Sequence, residues 1–131
     1  MSEKTAEDWG RVAVSLPGWR WMPGMLDTEG DRWGGVTLHD GAREVLRAVT
    51  APKQYAYEWR DRLPDPDDPA TTGCLLALLA PRGVYIVPCD QRKGWWRAII
   101  PAGAWPESAP TLGRACIAAA EALGRWPGGE G

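Results

Sequence analysis

The chain has 131 residues, enough for one domain that buries well over half of its unfolded surface without disulfides or metals. Its apolar fraction of 44% and charged fraction of 24% describe a globular chain rather than a disordered or membrane-spanning one. A net charge of −2 and a pI near 5.4 exclude the strongly basic footprint of a general nucleic-acid binder, and are too mild for an acidic nucleic-acid mimic. Nine Trp stand beside no Phe, so indoles must do the work of every large aromatic except three Tyr. The 16 Gly and 12 Pro that accompany them also suit a GC-rich genome.

The first helix is predicted from Thr5, an N-cap candidate with Asp8 three residues on in the manner of a capping box. Trp9, Val12, Ala13 and Leu16 recur at helical spacing and make one apolar stripe. Pro17-Gly18 stops it. In "GWRWMPGM", residues 18 to 25, an extended backbone would point Trp19 and Trp21 to one face and Arg20 to the other. Pro and Gly on both sides fix this segment, so the pair is expected to seal one end of a core, with one indole keeping an exposed edge.

Residues 33 to 50 admit two readings. Val36, Thr37 and Leu38 favour a strand and "HDGA" a turn, which would pair 35–39 with 43–49. Ala42, Val45, Leu46 and Val49 also fit a helical stripe with Asp40 as N-cap. "YAYEW", residues 55 to 59, alternates as a short strand would. Farther on, Asp68 and Pro69 are placed as N-cap and first turn of a helix that is apolar all round from Cys74 to Ala80, hence expected to be buried on most sides. Val84 to Val87 and Trp95 to Ile100 read as a hairpin joined by the polar "CDQRKG". A last helix begins near Pro110-Thr111, with Leu112, Cys116, Ala119, Ala120 and Leu123 on one face and Gly124 as its C-terminal cap. "RWPGGEG", residues 125 to 131, reads as a flexible tail. The sum is a single α+β domain over 1–131 in the order α-ββ-α-ββ-α: an antiparallel sheet of about four strands with helices packed on it, a two- or three-layer sandwich.

No residue pattern points to catalysis. His39 is the lone histidine, without a second metal ligand or a neighbouring nucleophile. Asp61, Asp65, Asp67 and Asp68 lack the spacing and central Gly of a calcium loop and read as caps and solubilising charges. Cys74, Cys89 and Cys116 are odd in number and widely spaced, which fits neither a disulfide framework nor a metal pair; Cys74 and Cys116 read as buried thiols of a reduced compartment. The N-terminus has no apolar run of signal-peptide length, so a cytoplasmic, non-enzymatic protein without cofactor or metal is expected.

Binding is the better reading. Trp19, Arg20 and Trp21, with Arg92, Lys93, Trp95 and Arg97, mix the residue types that dominate contact energy at protein interfaces. The same mixture can hold a small nucleotide in an aromatic–arginine pocket, as a sponge would, or stack single-stranded nucleic acid along the 91–97 hairpin. The oligomeric state is open, a homodimer included.

Two stretches carry a resemblance. "DPATTGCLLALL", residues 68 to 79, with "GWRWMPGM" upstream, resembles small phage and prophage proteins. "GWWRAIIPAGAWPESAPTLGRACIAAAEALG", residues 94 to 124, is similar to the end of the phage ABA-sandwich domain, in which a Trp-bearing strand leads through a loop into a helix. The resemblance implies an α/β sandwich encoded by a phage, carries over no catalytic residue, and points to a host or phage protein as the partner and to inhibition of a bacterial defence system as the role. Residues 33 to 60 have no counterpart in it.

Overall fold

In the computed structural model, which describes residues 4–30, 32–40, 43–48, 62–101 and 106–129, helix α1 runs Ala6–Ser15. The capping box is complete: Asp8 N–H donates to Thr5 Oγ1 (3.1 Å) and Thr5 N–H to Asp8 Oδ2 (3.0 Å). Leu16 ends the helix in an extended conformation (φ −85°, ψ 142°), as the residue before a proline prefers. Trp9 and Ala13 are buried, and Val12 and Leu16 pack half-buried beside them.

The ambiguity over 33–50 is resolved towards strands. β1 (Trp33–Asp40) pairs antiparallel with β2 (Arg43–Ala48) from Asp40↔Arg43 to Trp33↔Ala48, with a register irregularity between Gly34 and Leu38. The strand expected at 55–59 lies outside the described residues.

Helix α2 (Pro69–Leu79) begins where expected, with Asp68 accepting from Thr71 N–H at 3.0 Å and Pro69 in the first turn. It buries one face, through Thr71, Thr72, Leu75, Leu78 and Leu79. The expectation of burial on most sides from Cys74 to Ala80 is corrected: Ala77 and Ala80 are exposed and Cys74 is only half-buried. These outward residues are small, so an apolar sequence leaves little apolar area in water.

The sheet is also corrected. β3 (Tyr85–Pro88) pairs with β4 (Trp96–Ile99), and among the described residues the strands form two separate two-stranded antiparallel sheets rather than one sheet of about four. The organising element is helix α3 (Leu112–Leu123), which packs against α1, α2, β3 and β4. Its run from Ala115 to Ala120 is buried, and small alanines there let neighbours approach from several directions. The α+β class therefore stands, with a helix at the centre of the core rather than a shared sheet.

Two adjacent aspartates tie the lead-in of α2 to distant segments. Asp67 takes the Arg114 guanidinium in a two-point pair (Nε–Oδ1 3.0 Å, Nη2–Oδ2 2.8 Å) and the Thr111 hydroxyl (2.7 Å). Asp68 takes Arg32 the same way (3.1 and 3.0 Å) while capping α2. The hydrogen bonds from Arg32 hold the Asp68 carboxyl below the usual carboxylate value; burial opposes this, and the Thr71 N–H and hydroxyl reinforce it. A carboxyl with a folded pKa below its unfolded one stabilises the fold above the unfolded value, 3.8, and loses that contribution as pH falls through the folded value. Asp68→Ala is expected to cost about 2 kcal/mol at pH 7, and Asp68→Asn less because the amide oxygen still caps. Urea unfolding of both variants should show the gap to the parent protein closing below pH 3.8.

The tail expected to be flexible over 125–131 is packed as far as it is described. Trp126 is fully buried; its indole Nε1–H donates to the Ala13 carbonyl (2.9 Å) and its backbone N–H to the Pro17 carbonyl (2.8 Å). Pro127–Gly129 form a 3-10 turn seated against Leu78 and Gly18, where side chains at 128 or 129 would not fit. The composition suggested fraying, but glycine here serves close approach.

Candidate functional site

Strands β3 and β4 alternate their side chains between two faces. One face carries Val84, Ile86, Trp96, Ala98 and Ile100 and joins the core over α3. The other carries Tyr85 and Val87 opposite Ile99 and Arg97. Tyr85, 55% exposed, is a large apolar side chain standing in solvent, and Val87, Arg97 and Ile99 are half-buried.

The tip is built by a turn in which Trp95 N–H donates to the Arg92 carbonyl (3.0 Å), with Gly94 at φ 84° in the third position. That left-handed conformation suits glycine and reverses the chain over four residues. The turn brings Arg92 back over Trp95, with the guanidinium carbon 3.4 Å from the ring centroid. Lys93, next in the turn, is exposed. Arg82, Arg92, Lys93 and Arg97 lie on or next to the hairpin, with Asp90 as its one acid, so this region is basic in a chain of net charge −2.

The seven residues singled out in the sequence do not form one surface. Trp19 and Trp21 belong to the interior seam: Trp126, Trp19, Trp21 and Trp33 make a chain of ring contacts at 5.7, 5.7 and 5.8 Å. The first two meet edge-on and the third is tilted, and such contacts add to the burial of each indole. The Trp19 Nε1 is buried with no acceptor among the described residues, a cost of about 1–3 kcal/mol set against that burial. Arg20 faces solvent. Trp126 closes the chain of rings from a segment read as a tail, and no sequence pattern placed it there.

The candidate chemical groups are engaged structurally. Asp65 accepts the Asp67 N–H (3.0 Å), and Asp67 and Asp68 hold their arginines. Burial pushes the Cys116 thiol up to about 12 and also raises Cys74, with Asp68 adding to the latter, so neither is a ready thiolate. His39 lies on β1 opposite Glu44, with its side chain outside the described residues, as is Asp61. Among the described residues no three His, Cys, Asp or Glu side chains converge as metal ligands, and no helix is long and apolar enough to cross a membrane.

A cavity of about 350 Å³, not foreseen from the sequence, is lined by Thr5, Ala6, Glu7, Thr28 and Asp65. It joins segments sixty residues apart, which no local pattern reveals. Its carboxylates would repel nucleotide phosphates, and neither Trp nor Arg lines it, so it is not the aromatic–arginine pocket of a nucleotide sponge. No protein-family model, no curated protein and no solved structure matches this chain.

Proposed function

We propose that this chain is a non-catalytic binding protein that engages a protein partner through the tip of the β3–β4 hairpin. The observation that carries the reading is the Arg92–Trp95 stack beside exposed Lys93. An arginine already held against an indole has given up much of its rotamer freedom, so it binds at a lower ordering cost than a free side chain. Arg, Trp and Tyr are also the residue types that most often anchor protein interfaces. The excess of positive charge favours an acidic surface on the partner and speeds encounter with it.

The phage resemblance supports a host or phage protein as that partner, in the bacterial cytoplasm, and inhibition of a bacterial defence system as the consequence of capture. Stacked arginine and tryptophan can also grip single-stranded nucleic acid, and a salt series separates the two. We expect no binding to a fluorescent 20-nucleotide single strand at low salt. Binding that weakens steeply with salt, and less steeply in Arg92→Ala or Lys93→Ala, would replace the protein-partner reading with a nucleic-acid one.

A further inference from the structure

We propose that β3 is the dimerisation edge of this protein, pairing antiparallel with β3 of a second copy about Ile86. Trp96 exchanges both backbone hydrogen bonds with Ala109 (2.8 and 2.9 Å), on the side of β4 away from β3. Its pairing with Pro88 is therefore the non-hydrogen-bonded kind. Alternation along the ladder makes Val87↔Arg97 and Tyr85↔Ile99 the bonded pairs. The backbone groups of Val84, Ile86 and Pro88 consequently point outward. Among the described residues β3 has no partner but β4.

An open edge is a template for pairing, and a second copy fits this one in a single register. With Ile86 opposite Ile86 of the second copy, each donates to and accepts from the other, and each Val84 N–H reaches the other copy's Pro88 carbonyl. Tyr85 then stands opposite Val87 of the second copy in a close non-bonded pair, an aromatic on a β-branched residue. This covers the exposed Tyr85 ring. The same register directs exposed Arg82 of one copy towards the end of the other that carries exposed Asp90, so the charges complement. Because Ala109 holds the far edge of β4, pairing uses the β3 edge, unpaired among the described residues, and closes as a two-fold dimer rather than a fibre. Pro88 withholds one outward donor per copy, and so short a ladder makes a small interface; the dimer dissociates at roughly tens of micromolar or above.

Sedimentation equilibrium up to about 1 mM, with concentration-dependent amide exchange, tests this. The expected result is a monomer–dimer equilibrium in which the Ile86 amide gains protection with concentration. Pro88→Thr restores an outward donor without touching a bond inside the hairpin, and is expected to tighten the dimer on the order of tenfold. Tyr85→Lys, at an exposed site, is expected to weaken it about tenfold with the monomer's melting unchanged. A chain that stays monomeric throughout overturns the proposal. So does a dimer whose constant neither variant moves, or one that leaves Ile86 exchange unaltered.

Discussion

Gly113→Ala is expected to destabilise the protein by at least about 3 kcal/mol, although alanine is the better helix former by about 1 kcal/mol. Gly113 is the second residue of α3 and is buried. A β-carbon there would fall on the carbonyl oxygen of Pro66 and lie 2.8 Å from Thr72 Oγ1. Neither neighbour can yield. Pro66 belongs to the proline-rich lead-in of α2, and its carbonyl accepts the Thr72 hydroxyl (3.1 Å). The next residue, Asp67, is held by Arg114 on the same turn of α3. Displacing α3 to admit a methyl group would break that pair and open the helix contact that centres the core. Chemical denaturation of the variant measures the sign directly: a gain in stability would mean that the start of α3 is not seated on Pro66.

Trp126→Ala is expected to cost about 4 kcal/mol, a large share of the roughly 5–15 kcal/mol that holds a domain of this size together. The indole is completely buried, contacts Trp19 with centroids 5.7 Å apart, and satisfies the Ala13 carbonyl at the end of α1. Its removal would leave a cavity and take from the Ala13 carbonyl the shorter of its two hydrogen bonds, leaving that from Leu16 N–H at 3.4 Å. Trp126→Phe keeps most of the volume and loses the N–H, and should fall between the two. Thermal melting is expected to drop by more than about 10 °C for the alanine variant. A variant that melts with the parent would show that residues 125–129 do not close the seam.

These two sites mark where the sequence was legible and where it was not. Local signals were accurate: Thr5 with Asp8, Asp68 with Pro69, and Gly124 at φ 80° start or stop helices for reasons contained within a few residues. The hairpin at 85–99 followed from alternation. Tertiary partners did not. Gly113 and Gly129 read as ordinary glycines because what they approach, Pro66 and Gly18, lies far away in the chain. Trp126 sat in a Gly- and Pro-rich segment whose composition is the same for a frayed end and a closely packed one. A single sheet at the core is the expectation because alternation and turn residues do not specify which hairpins pair with each other. An alanine-rich helix, buried from Ala115 to Ala120, takes that place.

The candidate site divides along the same line. Arg92, Lys93, Trp95 and Arg97 are neighbours in the chain, and a local turn brings the first and third together. Trp19 and Trp21 were grouped with them by residue type alone. They seal one end of the core, as their flanking Pro and Gly suggest, through Trp33 twelve residues from Trp21 and Trp126 more than a hundred residues from Trp19.

The most direct test of the central claim sets stability against capture in one variant. Arg92→Ala/Trp95→Ala, used as bait in a cell lysate beside the parent protein, is expected to melt within about 1 kcal/mol of it and to lose the protein that the parent retains. Retention of that same protein by a normally folded variant would contradict the account.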